Sequence, residues 1–379
     1  MYSYSKNSHA QPRRRTLKGI AGVLLLQQAP FIRAQQRLQI GQSAPLSGQN
    51  AEFGKAIVAG ARAWFARFNA RNLGITIDHQ VLDDGNDAAR AGANAQALLA
   101  RGASALFGYA SATLSLPALP HARQVGAPFF APFTGASVIH SGQDPLVFTA
   151  RASYMQEAEK FTEVLGGFGA SRVAVVHFAD RVGNENRDVV VEAIKKYQLK
   201  PGPIVAIERN QPVSEEAVKQ IVAARPDAVL FTVLASPTAH IVSRAKALGL
   251  SRGTFLVTLS FVGPSQLAKL LGDEARGIVV SHVVPKPWAS LEIAREHGQA
   301  IRALGAGDDP SFASLESYIA AKALSTAIER AKGTRPDVLL AAIEALNLDF
   351  GGYRLRYAKN NRHGSNFVDY TIIGQDFVR

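Results

Sequence analysis

The strongest constraint on this chain is an alternation that runs along it twice. Short apolar runs at strand spacing alternate with longer segments whose apolar residues recur every three or four positions. The first unit shows both periods. Leu38 and Ile40 open a buried strand, and Ala44-Pro45-Leu46-Ser47-Gly48 ends it, because Pro45 cannot extend a ladder and Gly48 accepts turn dihedrals. Phe53, Ile57, Gly60, Trp64 and Phe68 then recur at helical spacing. Further strands are expected at residues 75–82, 103–107, 128–131 and 146–149, with helices at 88–99 and 116–125. Repeated strand–helix units of this kind make a parallel sheet with helices on both faces.

At Arg151-Ala152-Ser153-Tyr154 the series restarts. Helices are expected at 157–166, 186–197, 215–224, 238–248 and 265–271, and strands at 172–178, 204–209, 227–233, 255–259 and 277–282. Two such series hold too many strands for one small sheet, so the chain should form two lobes. Pro285-Lys286-Pro287-Trp288 reads as an extended second crossover. Three helices follow, at 290–304, 312–331 and 335–346, and residues 351–379 alternate like β structure.

A chain of 379 residues, 47% of them hydrophobic, suffices for two packed domains. It contains no Cys, which excludes a disulfide framework, a thiolate zinc site, a catalytic Cys and a lipid-bearing Cys. Residues 1–36 contain no acid; Arg13-Arg14-Arg15-Thr16-Leu17-Lys18 precedes the apolar run at 19–26. A basic segment followed by a short apolar one reads as an export signal, too short to span a membrane. The arginines resemble a twin-arginine motif, with Thr16 where an aromatic is usual; a Sec signal with extra arginines is the other reading. Six of the 42 Lys and Arg lie in this segment, leaving 36 against 30 acids, a net of +6. That charge suits solubility and does not call for nucleic acid. The mature chain is expected to be soluble and periplasmic.

The predicted strand ends carry small polar groups. Ser43, Ser47, Ser111, Thr113, Thr134 and Ser260 all sit where strands finish. In open α/β sheets the ligand crevice lies at the strands' carboxyl ends, so these hydroxyls suit a small polar ligand, and Pro45–Phe53 is a candidate wall. Each one alone also fits a helix cap. Enzyme signatures are poor. The Gly167-Phe168-Gly169-Ala170-Ser171 run precedes a strand and lacks a third Gly; there is no phosphate-binding GK[ST] loop and no Gly-x-Ser-x-Gly elbow. The nine His show no metal-binding spacing. Asp83-Asp84 ends a strand, where paired acids can bind metal or move protons, although a solvated capping turn is the simpler reading.

In order and spacing, IGQSAPLSGQNAEFG (40–54), LDDGND (82–87), FGYASATLSLPAL (107–119), PFFAPFTGAS (128–137), TARASYMQEAE (149–159), RPDAVLF (225–231) and GIVVSHVVP (277–285) match one family. From Leu38 to the C-terminus the chain resembles the periplasmic solute-binding proteins of the branched-chain amino-acid, leucine/isoleucine/valine-binding class of ABC importers. The resemblance implies an α/β fold of two doubly wound lobes joined by three crossovers, the type I periplasmic binding protein fold, with the ligand in the cleft. The crossovers would fall near Arg151, Val283 and Phe350. Residues 1–36 would then be the export signal, 37–151 and 284–350 the first lobe, and 152–283 and 351–379 the second. It implies hinge closure on a small-molecule ligand, a membrane permease as partner, a monomer, no cofactor and no enzymatic activity. A sensor feeding a signalling partner, branched-chain amino-acid binding proper, and a two-domain α/β enzyme are the alternatives.

Carried over residue by residue, the family's carboxylate-binding Ser/Thr pair falls on Ala112-Thr113, with Ser111 beside it and Tyr109 at the same strand end. The next carboxylate loop falls on Thr134-Gly135. Phe53 is the aromatic after PLSG, and Tyr154 would cover an apolar ligand body. The family's second-lobe aromatic falls on Val182, its second-lobe Tyr near Leu234-Ala235, and its ammonium-binding Glu near Leu259-Ser260. Here that acid is gone. An unpaired ammonium buried in a closed cleft costs several kcal/mol, so the expected ligand is a small carboxylate, or a similar acceptor, without a free ammonium. Arg181, turned inward, would suit a second acid group.

Overall fold

The computed structural model describes residues 36–48, 50–305, 309–331 and 333–374. The expected export signal, residues 1–36, lies outside the described residues except for Gln36, which opens the first strand. The first sheet holds β1 (Gln36–Ala44), β2 (Ile75–Asp83), β3 (Ala103–Phe107), β4 (Phe129–Phe130) and β5 (Val147–Phe148), all parallel, in the order β2-β1-β3-β4-β5. Strand β3 is buried at every residue, as a strand covered by helices on both faces must be. The second sheet holds β6 (Arg172–Phe178), β7 (Lys200–Ile207), β8 (Ala228–Phe231), β9 (Phe255–Thr258) and β10 (Val279–His282). Read from β7, its order β7-β6-β8-β9-β10 repeats that of the first. Asp369–Ile372 then adds an antiparallel edge strand against β10. This is the expected two-lobed α/β architecture.

The helix Ala51–Ala70 packs along Phe312–Ala331 in the first lobe. Trp64 donates its indole N–H to Ser325 Oγ at 3.0 Å and meets the Tyr318 ring edge-on at 5.3 Å. The chain leaves the first lobe after β5, and Val284, just past β10, is back in the first core. The third crossing comes later than Phe350. Tyr353, Leu355 and Tyr357 pack into the first core, and the hairpin Asn347–Asp349/Arg354–Arg356 stays with it. Residues 362–364 run beside the first crossing, with Thr149 N–H donating to Arg362 O at 2.9 Å and Gly364 N–H to Thr149 O at 2.8 Å. Among the described residues after Phe350, only the strand from Asp369 joins the second sheet. The polar alternation of 351–379 hid this, because a two-stranded edge hairpin and a sheet-edge strand share one pattern.

A buried ionic cluster ties the lobes together near the first crossing. Arg151, 1% exposed, bonds Glu157 Oε1 at 3.1 Å and lies 3.4 Å from Glu316 Oε1. Glu157 sits on the helix Tyr154–Gly167, and Glu316 on Phe312–Ala331, which packs in the first lobe. Glu157 also accepts from the Ser260 N–H and hydroxyl, each at 2.9 Å, and from the Ser281 hydroxyl. Burial opposes the Arg151 charge, yet Glu316 and Glu157 hold its pKa above the usual value. Burial pushes the Glu316 carboxyl up to about 7, against the pull of Arg151.

Candidate functional site

In both sheets the strand order reverses beside the first strand of the lobe, between β1 and β3 and between β6 and β8. Such switch points open a crevice at the carboxyl ends of the strands. One cavity, about 680 Å³ including the open space at its mouth, is lined from both crevices at once. The first lobe contributes Asn50 and Phe53 after β1, Asn86 after β2, Ala110, Ser111, Thr113 and Leu114 after β3, and Thr134 after β4. The second contributes Phe178 at the end of β6, Val182 and Asn186 on the helix Arg181–Lys196, Arg209 after β7, Thr232 and Leu234 after β8, and Phe261 after β9. Tyr154 lines it from the first turn of the helix beyond the first crossing.

The walls are held by local chemistry that the sequence spells out. Gly54, directly after Phe53, lets the first helix close on the preceding loop; a Cβ there would lie 1.9 Å from the Pro45 carbonyl oxygen. Gly183, directly after Val182, does the same in the second lobe, where a Cβ would lie 2.1 Å from the Phe178 carbonyl oxygen. The paired acids fix the loop between β1 and the helix. Asp83 accepts from Leu46 N–H at 2.8 Å and from the Ser47 hydroxyl at 2.7 Å, and Asp84 accepts from the Ser43 hydroxyl at 2.8 Å. Burial works against the Asp83 charge, but hydrogen bonds from Ser47, Gly85 and Leu46 hold its pKa below the usual value. Asp84 is fully buried, and burial raises its pKa. Their lone pairs are therefore committed to the loop before the first helix and to the turn itself; they do not form the expected solvated cap, since Asp84 is buried and Asp87 caps the helix Ala88–Ala100.

On the first-lobe wall, Ser111 caps the next helical turn by accepting from Leu114 N–H at 3.2 Å, so its own proton remains for another acceptor. Thr134 Oγ1 accepts from Ala136 N–H at 3.2 Å and donates to the Tyr154 hydroxyl at 3.4 Å. Burial raises the Tyr154 phenol, which stays neutral and keeps its proton for donation. Among the described residues the one basic lining residue is Arg209, on the second-lobe wall. Its Nε–H donates to Asp180 Oδ2 at 2.6 Å, and its guanidinium lies 3.9 Å from the Phe178 ring centroid. Among the described residues no Asp or Glu lines the cavity.

Of the residues singled out from sequence, Phe53, Ser111, Thr113, Thr134, Tyr154 and Val182 come together on these walls. Tyr109, Ala112, Gly135, Ala235 and Ser260 do not. Tyr109 points into the first-lobe core with its ring 5.0 Å from Phe129, and Ala112 is buried beneath Ser111 and Thr113. Gly135 backs onto Tyr154, where a Cβ would lie 2.5 Å from the ring. Ala235 is buried in the second-lobe core, while its neighbour Leu234 faces the cavity. Ser260 is drawn into the Arg151–Glu157 cluster. Arg181 is 74% exposed and pairs with Glu185 one helical turn on. Sequence reasoning missed Arg209, Asn186, Phe178, Phe261, Asn50 and Asn86. For Arg209, Phe178, Phe261, Asn50 and Asn86 the signal was position alone, since each follows or ends a predicted strand; Asn186, inside the helix Arg181–Lys196, carried none.

Two α/β lobes that share a cavity at their facing strand ends define a ligand-binding protein of the type I periplasmic kind. The sequence profile of the family described as periplasmic binding protein matches residues 37–372, and the chain belongs to that family. A possible leucine/isoleucine/valine-binding protein from Rhodopirellula baltica is similar at 29% identity and TM-score 0.84, over 90% of this chain and 95% of that one. A substrate-binding periplasmic protein from Ralstonia solanacearum is similar at 30% identity and TM-score 0.82, over 89% of this chain and 98% of that one. A solute-binding protein of an ABC transporter from Rhodopseudomonas palustris, solved with 3,4-dihydroxybenzoic acid, shares the fold at 17% identity and TM-score 0.78, over 89% of this chain and 93% of that one. Comparison with curated proteins gives no match. The kinship read from the sequence with the leucine/isoleucine/valine-binding class therefore holds, and the family is one of substrate-binding proteins.

Proposed function

We propose that this protein is the exported, periplasmic substrate-binding component of an ABC importer. It acts as a monomer, closes its lobes on a small organic carboxylate that lacks a free ammonium, and presents it to a membrane permease. The observation that carries the ligand class is the charge of the walls: one arginine, several hydroxyls and no carboxylate among the described lining residues. The acid nearest the position where the family's ammonium-binding Glu would fall is Glu157, and its oxygens are engaged by Arg151, Ser260 and Ser281. An α-ammonium brought into this cleft would find no counter-charge, whereas a carboxylate finds the protons of Ser111 and Tyr154. Phe53, Tyr154 and Phe261 supply apolar faces for the body of the ligand.

A thermal-shift panel of amino acids, their deaminated analogues, aromatic acids, amides and urea tests this. A ligand held at 100 times its dissociation constant stabilises by about 2.7 kcal/mol. Stabilisation by deaminated or aromatic acids is the expected result. Stabilisation by leucine or valine, with none from their deaminated analogues, refutes the ligand class.

A further inference from the structure

We propose that the second lobe carries a second anion subsite built on Arg209, and that the ligand is a dicarboxylate spanning the cleft. The inference rests on the carboxylate reading of the cleft and narrows it. One carboxylate would take the hydroxyl protons of the first-lobe wall; the other would take the fork of Arg209 on the facing wall.

Arg209 is built as a receptor and not as a surface charge. It follows β7 and is 26% exposed by side chain. The guanidinium is fixed at one edge by Asp180, at 2.6 Å from Nε, and on one face by the Phe178 ring at 3.9 Å. Guanidinium stacking and a carboxylate at the Nε edge orient the plane and leave its far edge open. The bond to Asp180 is made by Nε, and among the described residues the terminal amino groups have no hydrogen-bond partner. Two parallel N–H groups match the two oxygens of a carboxylate, which is the geometry that favours Arg for planar oxyanions.

Asp180 does not fully neutralise this arginine. Its other oxygen caps the helix Arg181–Lys196 by accepting Gly183 N–H at 2.8 Å. Its negative charge is therefore shared between the guanidinium and a helix N-terminus. A second, independent feature points at a ligand on the same wall. Asn186 is 7% exposed and lines the cavity, and its Oδ1 is buried without a hydrogen-bond partner. A buried amide left unpaired is costly. The amide group can turn about its last bond to present either its oxygen or its NH₂ to a bound group, so it can serve a carboxylate seated on Arg209. A monocarboxylate would satisfy the hydroxyl wall or the Arg209–Asn186 wall and leave the other without a partner; a diacid serves both, with Phe53, Tyr154 and Phe261 along its middle.

Isothermal titration with matched acids tests the proposal: butyrate with succinate, hexanoate with adipate, and benzoate with terephthalate. In the wild type, at least one diacid should bind about tenfold or more tightly than its monoacid partner. Arg209→Gln should cut that diacid's advantage over its monoacid to less than about threefold. Arg209→Lys, which keeps the charge and loses the fork, should fall between. Far-UV circular dichroism and unfolding of each variant establish that it is folded. Monoacids binding as tightly as diacids in the wild type, or an Arg209→Gln variant that weakens both alike, overturns the proposal and leaves the carboxylate reading standing. Binding of an amide or an amino acid with none of the six acids overturns both.

Discussion

Replacing Glu157 with Gln is the sharpest perturbation of the frame that holds the two lobes. Glu157 is fully buried and receives Arg151 at 3.1 Å, the Ser260 N–H and hydroxyl at 2.9 Å, and the Ser281 hydroxyl. The substitution keeps shape and removes charge. Removing one partner of a buried ion pair costs about 3–5 kcal/mol, because the other charge is left unmatched. Here Glu316, 3.4 Å from Arg151, remains and is relieved of a like-charged neighbour. The expected loss is therefore at the low end, about 3 kcal/mol. Urea unfolding followed by far-UV circular dichroism, which samples both lobes, measures it, with a second probe to establish whether the transition is two-state. The companion Glu157→Ala variant adds a cavity and should lose more. A Glu157→Gln loss below about 1 kcal/mol would refute the reasoning, since that is the scale of a solvated surface pair.

The same cluster sets a pH dependence. The Glu316 carboxyl titrates near 7 when folded, above its ordinary 4.5, so the native state binds the extra proton and stability from this group falls as pH rises from about 4.5 through 7. Glu316→Gln should abolish that contribution, so its stability relative to wild type should rise between pH 5 and about 8; a pH-independent difference in urea midpoint would contradict this. His140 and His297, held neutral by burial with pKa values near 3, act oppositely and cost stability as pH falls below about 6.5 in wild type and variant alike. Gly183→Ala drives a methyl into the Phe178 carbonyl and should destabilise by about 1–3 kcal/mol while weakening ligand binding, because Phe178 and Val182 move; calorimetry on one sample reads both.

Much of this molecule could be read before it was seen, and the reasons are local. Ala228–Phe231 is a continuous apolar run, and Ala103–Phe107 is one broken only by Ser104, because helices cover both their faces. Their order came only with the structure, and the crevices lie where that order reverses. Ser111 and Thr134 were legible because a hydroxyl just past a strand is either a cap or a ligand contact, and Ser111 caps while also lining the cleft. Arg209 was not legible. Arg181 and Arg209 both follow second-lobe strands; only the three-dimensional seat decides. Arg181 meets Glu185 one turn along its own helix, whereas Arg209 finds Asp180, 29 positions away, and the Phe178 face. Ser260 misled for the matching reason: its position on a strand end suggested the cleft, but the buried Glu157 claims its hydroxyl.

The central claim is that this cleft accepts a carboxylate and refuses the α-ammonium that normally accompanies it in amino-acid binders. Isothermal titration of phenylalanine against hydrocinnamate, and of leucine against isocaproate, tests it with body and carboxylate held constant. Burying an ammonium with no counter-charge costs at least about 3 kcal/mol, or roughly a hundredfold in affinity. The account predicts that the deaminated acid of at least one pair binds and that its amino-acid partner binds at least that much more weakly. Tighter binding of the amino acid in either pair would contradict it.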